Sequence, residues 1–132
     1  MTPESRQRLA ALEVANAIRS NRAILRRHLH RAPDARDYVL AKHIITTAGT
    51  PDLNVVIDGV ELPVDVVDTM TIGQFLRSLA GWGNVKTANA LRRNNISQSR
   101  RMARMTTRER VALIRELDDL VERRTNREEP AA

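Results

Sequence analysis

Apolar side chains in this chain return every three or four residues along most of its length, and that spacing constrains the fold more than any other feature. Ile72, Phe75, Leu76 and Leu79 stand at i, i+3, i+4 and i+7, one complete apolar helix face, with Thr69 or Thr71 available as its N-cap. Leu113, Ile114, Leu117, Leu120 and Val121 form a second such face, entered by Thr106 with Glu109 three residues later, the spacing of a capping box. Ala11, Val14, Ile18, Leu25 and Leu29 fall in one stripe at about 100° per residue, so Pro3 to Arg31 reads as a single long helix. A chain of 132 residues holds one domain with a modest core, and its class is mainly α.

The interruptions set the organisation. Pro33 disfavours helix for the residue before it, and Asp34 is placed to cap a short helix reaching about Thr47. From Ala48 to Asp68 there is no Lys or Arg, while Asp52, Asp58, Glu61, Asp65 and Asp68 all fall here. Within that stretch "NVVIDGVELPV" sets β-branched residues on both sides of Asp58-Gly59, a dipeptide suited to a tight hairpin turn. After Gly81 to Asn84 a second short helix runs from Val85 to about Arg93, with Val85, Ala88 and Leu91 expected inward. "NNISQSRRMARM" has no periodicity and reads as an ordered loop. The expected division is a basic N-terminal helical region at 1–47, an acidic β-hairpin insert at 48–68, a helical core at 69–124 and a disordered tail at 125–132.

Composition excludes several chemistries. Without cysteine there is no disulfide framework or thiolate catalysis. Three aromatic residues, Tyr38, Phe75 and Trp82, disfavour a base-stacking platform for single strands. No apolar run approaches a membrane span, and the first residues lack the apolar core of a signal peptide, so the expected location is cytoplasmic. His28 and His30, two apart on a helix, project in different directions and do not chelate one ion together, and solvated hairpin carboxylates outnumber metal-binding ones. No catalytic residue, metal site or cofactor is expected.

The charge is where the chain departs from an ordinary helical domain. Its formal net charge is +6. Between Arg77 and Arg115 the cations are Arg77, Lys86, Arg92, Arg93, Arg100, Arg101, Arg104, Arg108, Arg110 and Arg115, and Glu109 is the only anion. Solvated helices normally interleave signs, so this density attracts polyanions. Arg19, Arg22 and Arg26 form a row beside the apolar stripe of the first helix, a spacing that can follow a phosphate backbone or simply flank a packed helix. Gly81 and Gly83 bracket Trp82 before a helix whose opening amides, around Asn84 to Thr87, can hold a phosphate with Lys86 beside them. The same glycines equally suit a tight corner between helices. Trp82 is expected to pack beneath the turn, and the adjacent Arg100 and Arg101 to grip a duplex groove through its shape.

Three stretches together, "LEVANAIRSNRAILRRHLHR", "TMTIGQFLRSLAGWGNVKTANAL" and "ISQSRRMARMTTRERVALI", resemble the actinobacterial integration host factor family. The resemblance implies an S13-like helix-two-turn-helix core behind a long N-terminal helix. It also implies a non-enzymatic, nucleoid-associated protein that binds double-stranded DNA with little sequence preference, bends or compacts it, and can assist a phage integrase. On that pattern Gly83, Val85 and Lys86 belong to a turn on the DNA backbone and Arg100 and Arg101 to a groove-facing pair. Asn84 stands where the family usually carries a basic residue, Trp82 where it carries a small apolar one, and Arg104 lies one place beyond its further arginine. The acidic hairpin has no counterpart in the family and suits a protein partner, an integrase among others; a divergent member of this kind could be phage-encoded.

The expected function is architectural binding of duplex DNA through Gly81, Gly83, Asn84, Val85, Lys86, Arg92, Arg93, Arg100, Arg101 and Arg104, joined by Arg19, Arg22 and Arg26. Neutralising about five phosphates would give a slope of log K on log salt near −4 to −5. Alternatives are an S13-like RNA-binding protein and an adaptor using the hairpin. No membrane partner is expected, and a monomer is favoured over an oligomer.

Overall fold

The computed structural model describes residues 2–32 and 35–128. Among the described residues six helices and one two-stranded ribbon enclose a single apolar cluster, to which every helix and the first strand contribute. The fold is mainly α.

Helix α1, Pro3–Arg31, starts with Thr2 accepting a hydrogen bond from the Ser5 amide and a proline in the first turn. Its apolar stripe is only half used. Leu25 and Leu29 are buried and Ile18 is partly covered, but Ala11 and Val14 are exposed, because residues 2–17 extend past the core. The short helix after the break begins later than expected: Ala35–Asp37 form a 3-10 turn, Tyr38 takes a left-handed φ of 56°, and α2 is Val39–Thr47. The cap expected from Asp34 lies outside the described residues.

The acidic insert is more than a solvated flap. Strands β1 (Val56–Ile57) and β2 (Val60–Glu61) pair antiparallel, Ile57 opposite Val60, around Asp58 and Gly59 at φ 52° and 80°. Those are the two positive angles that a tight two-residue turn requires. Leu53, Val55, Ile57 and Leu62 are buried, so alternate side chains anchor the insert in the common core. His43 Nε2 donates to the Asn54 carbonyl at 3.1 Å, tying the insert to α2. The chain then makes an unforeseen short helix, α3 (Asp65–Asp68), whose Val66 and Val67 are buried.

Helix α4 (Ile72–Arg77) has a complete capping box: Thr71 Oγ1 accepts from the Gln74 amide, and the Thr71 amide donates to the Gln74 side chain. Helix α5 (Asn84–Arg93) buries Thr87, Ala90 and Leu91. Val85, expected inward, is instead 75 % exposed, because α5 begins at Asn84 and its first turn stands clear of the core. Helix α6 (Thr107–Glu128) follows the predicted Thr106–Glu109 box and buries Leu113 and Leu117. It also carries residues 125–128, which were expected to open a disordered tail; residues 129–132 lie outside the described residues.

Candidate nucleic-acid interface

The turn between α4 and α5 is built by glycine at one position only. Gly81 has φ 79°, a left-handed conformation that side chains resist. Tyr38 closes the corner from the other side, donating its buried hydroxyl to the Ala80 carbonyl at 2.7 Å. Burial raises the Tyr38 pKa, with Trp82, Arg124 and Arg36 acting in the opposite direction. Trp82 is 5 % exposed and packs in the core beneath the turn, and Lys86 Nζ lies 5.9 Å from its ring centre. Gly83 is the N-cap of α5, and no side chain caps this helix. Asn84, Val85 and Lys86 are exposed, so the first amides of α5 open toward solvent with the positive end of the helix dipole.

The arginine loop is ordered by backbone bonds to the segment entering α4. The Met102 amide donates to the Met70 carbonyl, Ile72 to Arg100, and Gly73 to Gln98, while Thr71 and Arg101 pair as an isolated bridge. Arg77 donates to the Gln98 side chain at 2.8 Å. Behind the loop Gly49, at φ 79°, approaches so closely that an added Cβ would stand 2.4 Å from the Ala103 carbonyl oxygen.

Arg100 and Arg101 therefore differ in their surroundings. Arg100 Nε reaches Glu109 Oε2 at 3.1 Å, and that carboxylate is 2 % exposed and also accepts from the Thr106 amide. The one anion of the basic segment is thus neutralised by one member of the pair, and removing Arg100 would leave a buried charge unpartnered. Arg101 is exposed and makes no ion pair among the described residues.

Arg101 meets the row on α1. Arg22 donates to the Val66 carbonyl at 3.3 Å and to Thr69 Oγ1, pinning α1 to α3. Burial, and then the neighbouring guanidinium groups of Arg26 and Arg101, lower its pKa. Segments about 75 residues apart in sequence thus place Arg22, Arg26 and Arg101 in one cationic patch. Arg19 is exposed and donates to Asn16.

The remaining candidates are dispersed. Arg93 spends its guanidinium on Glu116 of α6 at 2.9 Å, which raises its pKa. Arg92 is exposed beside Ala88, Leu91, Ile96 and Gln98. Arg104 closes the 3-10 turn Met102–Arg104 and is also exposed. The sequence reading missed Arg36, Arg123 and His30, which stand around Gly81 and Lys86. Their common groove joins three separated segments, and no local spacing signals it. Among the described residues no group of three or more His, Cys, Asp or Glu is placed to hold a metal, and no helix is long and apolar enough to cross a membrane.

No protein-family model matches the chain, and no curated protein matches it. Its fold is similar to that of a solved structure described as sIHF bound to an 8-bp palindromic DNA, with a TM-score of 0.58 and 25 % sequence identity. The match covers 80 % of this chain and 98 % of that one. The overall fold is thus integration-host-factor-like, as the sequence resemblance implies.

Proposed function

We propose that this chain is a non-enzymatic architectural protein that holds double-stranded DNA through its phosphates with little sequence preference. The observation that carries the reading is geometric: Arg22 of α1 is fixed to Val66 and Thr69, two residues from Thr71, which pairs with Arg101, so cations from opposite parts of the chain meet there. A cluster of like charges with no paired acid among the described residues is unfavourable by itself and favourable against a polyanion. The solved neighbour, a protein of like fold bound to DNA, supports it.

In this reading the open amides of α5 and the Lys86 ammonium take one backbone segment, and Gly83 leaves room for it. Arg101 borders or enters a groove, while Arg100 orients the loop through Glu109 and offers its outer nitrogens. The α1 row, Arg19, Arg22 and Arg26, neutralises further phosphates. Bending or compaction of DNA, help to a phage integrase, a nucleoid location and membership of the actinobacterial type in a divergent, phage-carried form belong to the same proposal. So does protein contact through the hairpin, where Val56 and Val60 are exposed beside Asp58 and Glu61. That contact is tested by substituting the exposed side chains, since deleting the insert would remove seven buried residues, Ala48, Leu53, Val55, Ile57, Leu62, Val66 and Val67.

The test is binding of a fluorescent duplex across a salt series by wild type, Lys86→Ala and Arg101→Ala. Wild type is expected to show a slope near about −4 to −5, and each variant to lower its magnitude by about 0.9. Arg101→Ala is preferred to the adjacent change because Glu109 does not depend on it. A wild-type slope near zero, or tighter binding of duplex RNA at equal salt, would overturn the reading.

A further inference from the structure

Two grooves extend the basic surface beyond the residues placed so far. One, of about 470 Å³, opens beside the α4–α5 turn and takes His30, Arg36, Lys86 and Arg123 into its wall. Arg124 also borders it but is engaged, donating to the Arg36 carbonyl and facing Asp37 at 3.3 Å. The other, of about 650 Å³, lies between α1 and α4 and takes in Arg26, Arg27, His30, Arg31 and Arg77. Among the described residues no Asp or Glu lines either groove. His30 lines both, so the two grooves adjoin at that residue, and together they are called the trough. A third, separate groove on the hairpin side of α1 is lined by Arg27, Arg31 and Asp58.

We propose that this trough is the track of one DNA backbone strand, running from the α5 turn between Arg36 and Arg123, past His30, along α1 toward Arg22 and Arg101. The inference rests on the DNA-binding reading and adds Arg27, Arg31, Arg36, Arg123 and His30 to it, and its four arginines would steepen the wild-type slope by about 3.6 beyond the value expected without them. Length decides between a linear and a compact anion: the cations continue through a shared wall from one groove into the next, which suits a chain of phosphates. The chain order explains why sequence does not show the track. Its members come from α1, the 3-10 turn after it, α5 and the far end of α6.

The experiment compares the salt slopes of Arg36→Ala/Arg123→Ala and Arg27→Ala/Arg31→Ala with wild type, Lys86→Ala and Arg115→Ala on one duplex. All these arginines are exposed, and circular dichroism checks that the variants fold. Each double variant is expected to lose about 1.8 from the slope magnitude, about 0.9 per phosphate contact, and Arg115→Ala, outside both grooves, to lose nothing. If either double variant keeps the wild-type slope while Lys86→Ala lowers it, the track is wrong and the DNA reading stands. If Arg115→Ala loses as much per charge as the double variants, bulk charge replaces the track. A wild-type slope near zero removes both.

Discussion

Gly83 has φ −103° and ψ −172°, an extended conformation open to any residue, and an added Cβ would meet nothing within 4 Å. Neither the backbone nor the packing demands glycine there, in contrast to Gly81 with φ 79°. What glycine does at position 83 is leave the first amides of α5 uncapped and approachable. Gly83→Asp separates the two roles. An aspartate N-cap satisfies those amides from within, so thermal stability should hold or rise by a few tenths of a kcal/mol. DNA affinity should fall about tenfold, as roughly one charge-assisted hydrogen bond of about 1.5 kcal/mol is lost to the new carboxylate. Thermal melts and a binding titration read the two outcomes separately. Undiminished affinity would make the turn a corner between helices and nothing more.

Helices α5 and α6 are joined by Glu116, which accepts from Arg93 at 2.9 Å and from Asn94 at 3.0 Å. Burial pushes the Glu116 pKa up, but the hydrogen bonds from Arg93 and Asn94 and the charges of Arg93 and Arg123 outweigh it, and the net direction is down. A carboxyl whose folded pKa is depressed adds stability that is present above its unfolded pKa, about 4.3, and is lost as pH falls through the folded value. Wild type should therefore lose more of its melting temperature on acidification below about pH 4.5 than Glu116→Gln does. Parallel acid profiles for the two proteins would detach this joint from acid stability. Elements of this kind show how far sequence reaches. The caps of α4 and α6 and the Asp58-Gly59 turn rest on residues three or fewer apart, and local spacing was enough to read them. Helix α3 is too short for periodicity, the outward Val85 depends on where α5 leaves the core, and the bonds ordering the Arg101 loop join residues 25 to 32 positions apart. Among the candidate cations, sequence could not distinguish Arg93, held by Glu116, from Arg101, which has no such partner among the described residues.

At the scale of the molecule, α1 is out of proportion to the body it serves. Its 29 residues rise about 44 Å, yet residues 2–17 are exposed and burial begins only around Ile18. Leu9, Leu12 and Val14 are 46 %, 57 % and 61 % exposed, so the overhang gains little from packing, and a solitary helix of that length is marginal in water. Two consequences follow if this part is stabilised only through continuity with the docked half. Amide hydrogens of residues 6–14 should exchange far faster than those around Leu25 and Leu29, which are buried. Deleting residues 2–14 should shift the melting temperature by no more than about 2 °C, the scale of a surface change of about 0.5 kcal/mol. The same deletion removes Arg6 and Arg8, so it should reduce the salt slope of DNA binding by at most about 1.8 if both meet phosphates. A melting temperature that drops by about 5 °C or more, and that depends on protein concentration in the full-length chain, would instead place Leu9, Leu12 and Val14 against a second copy.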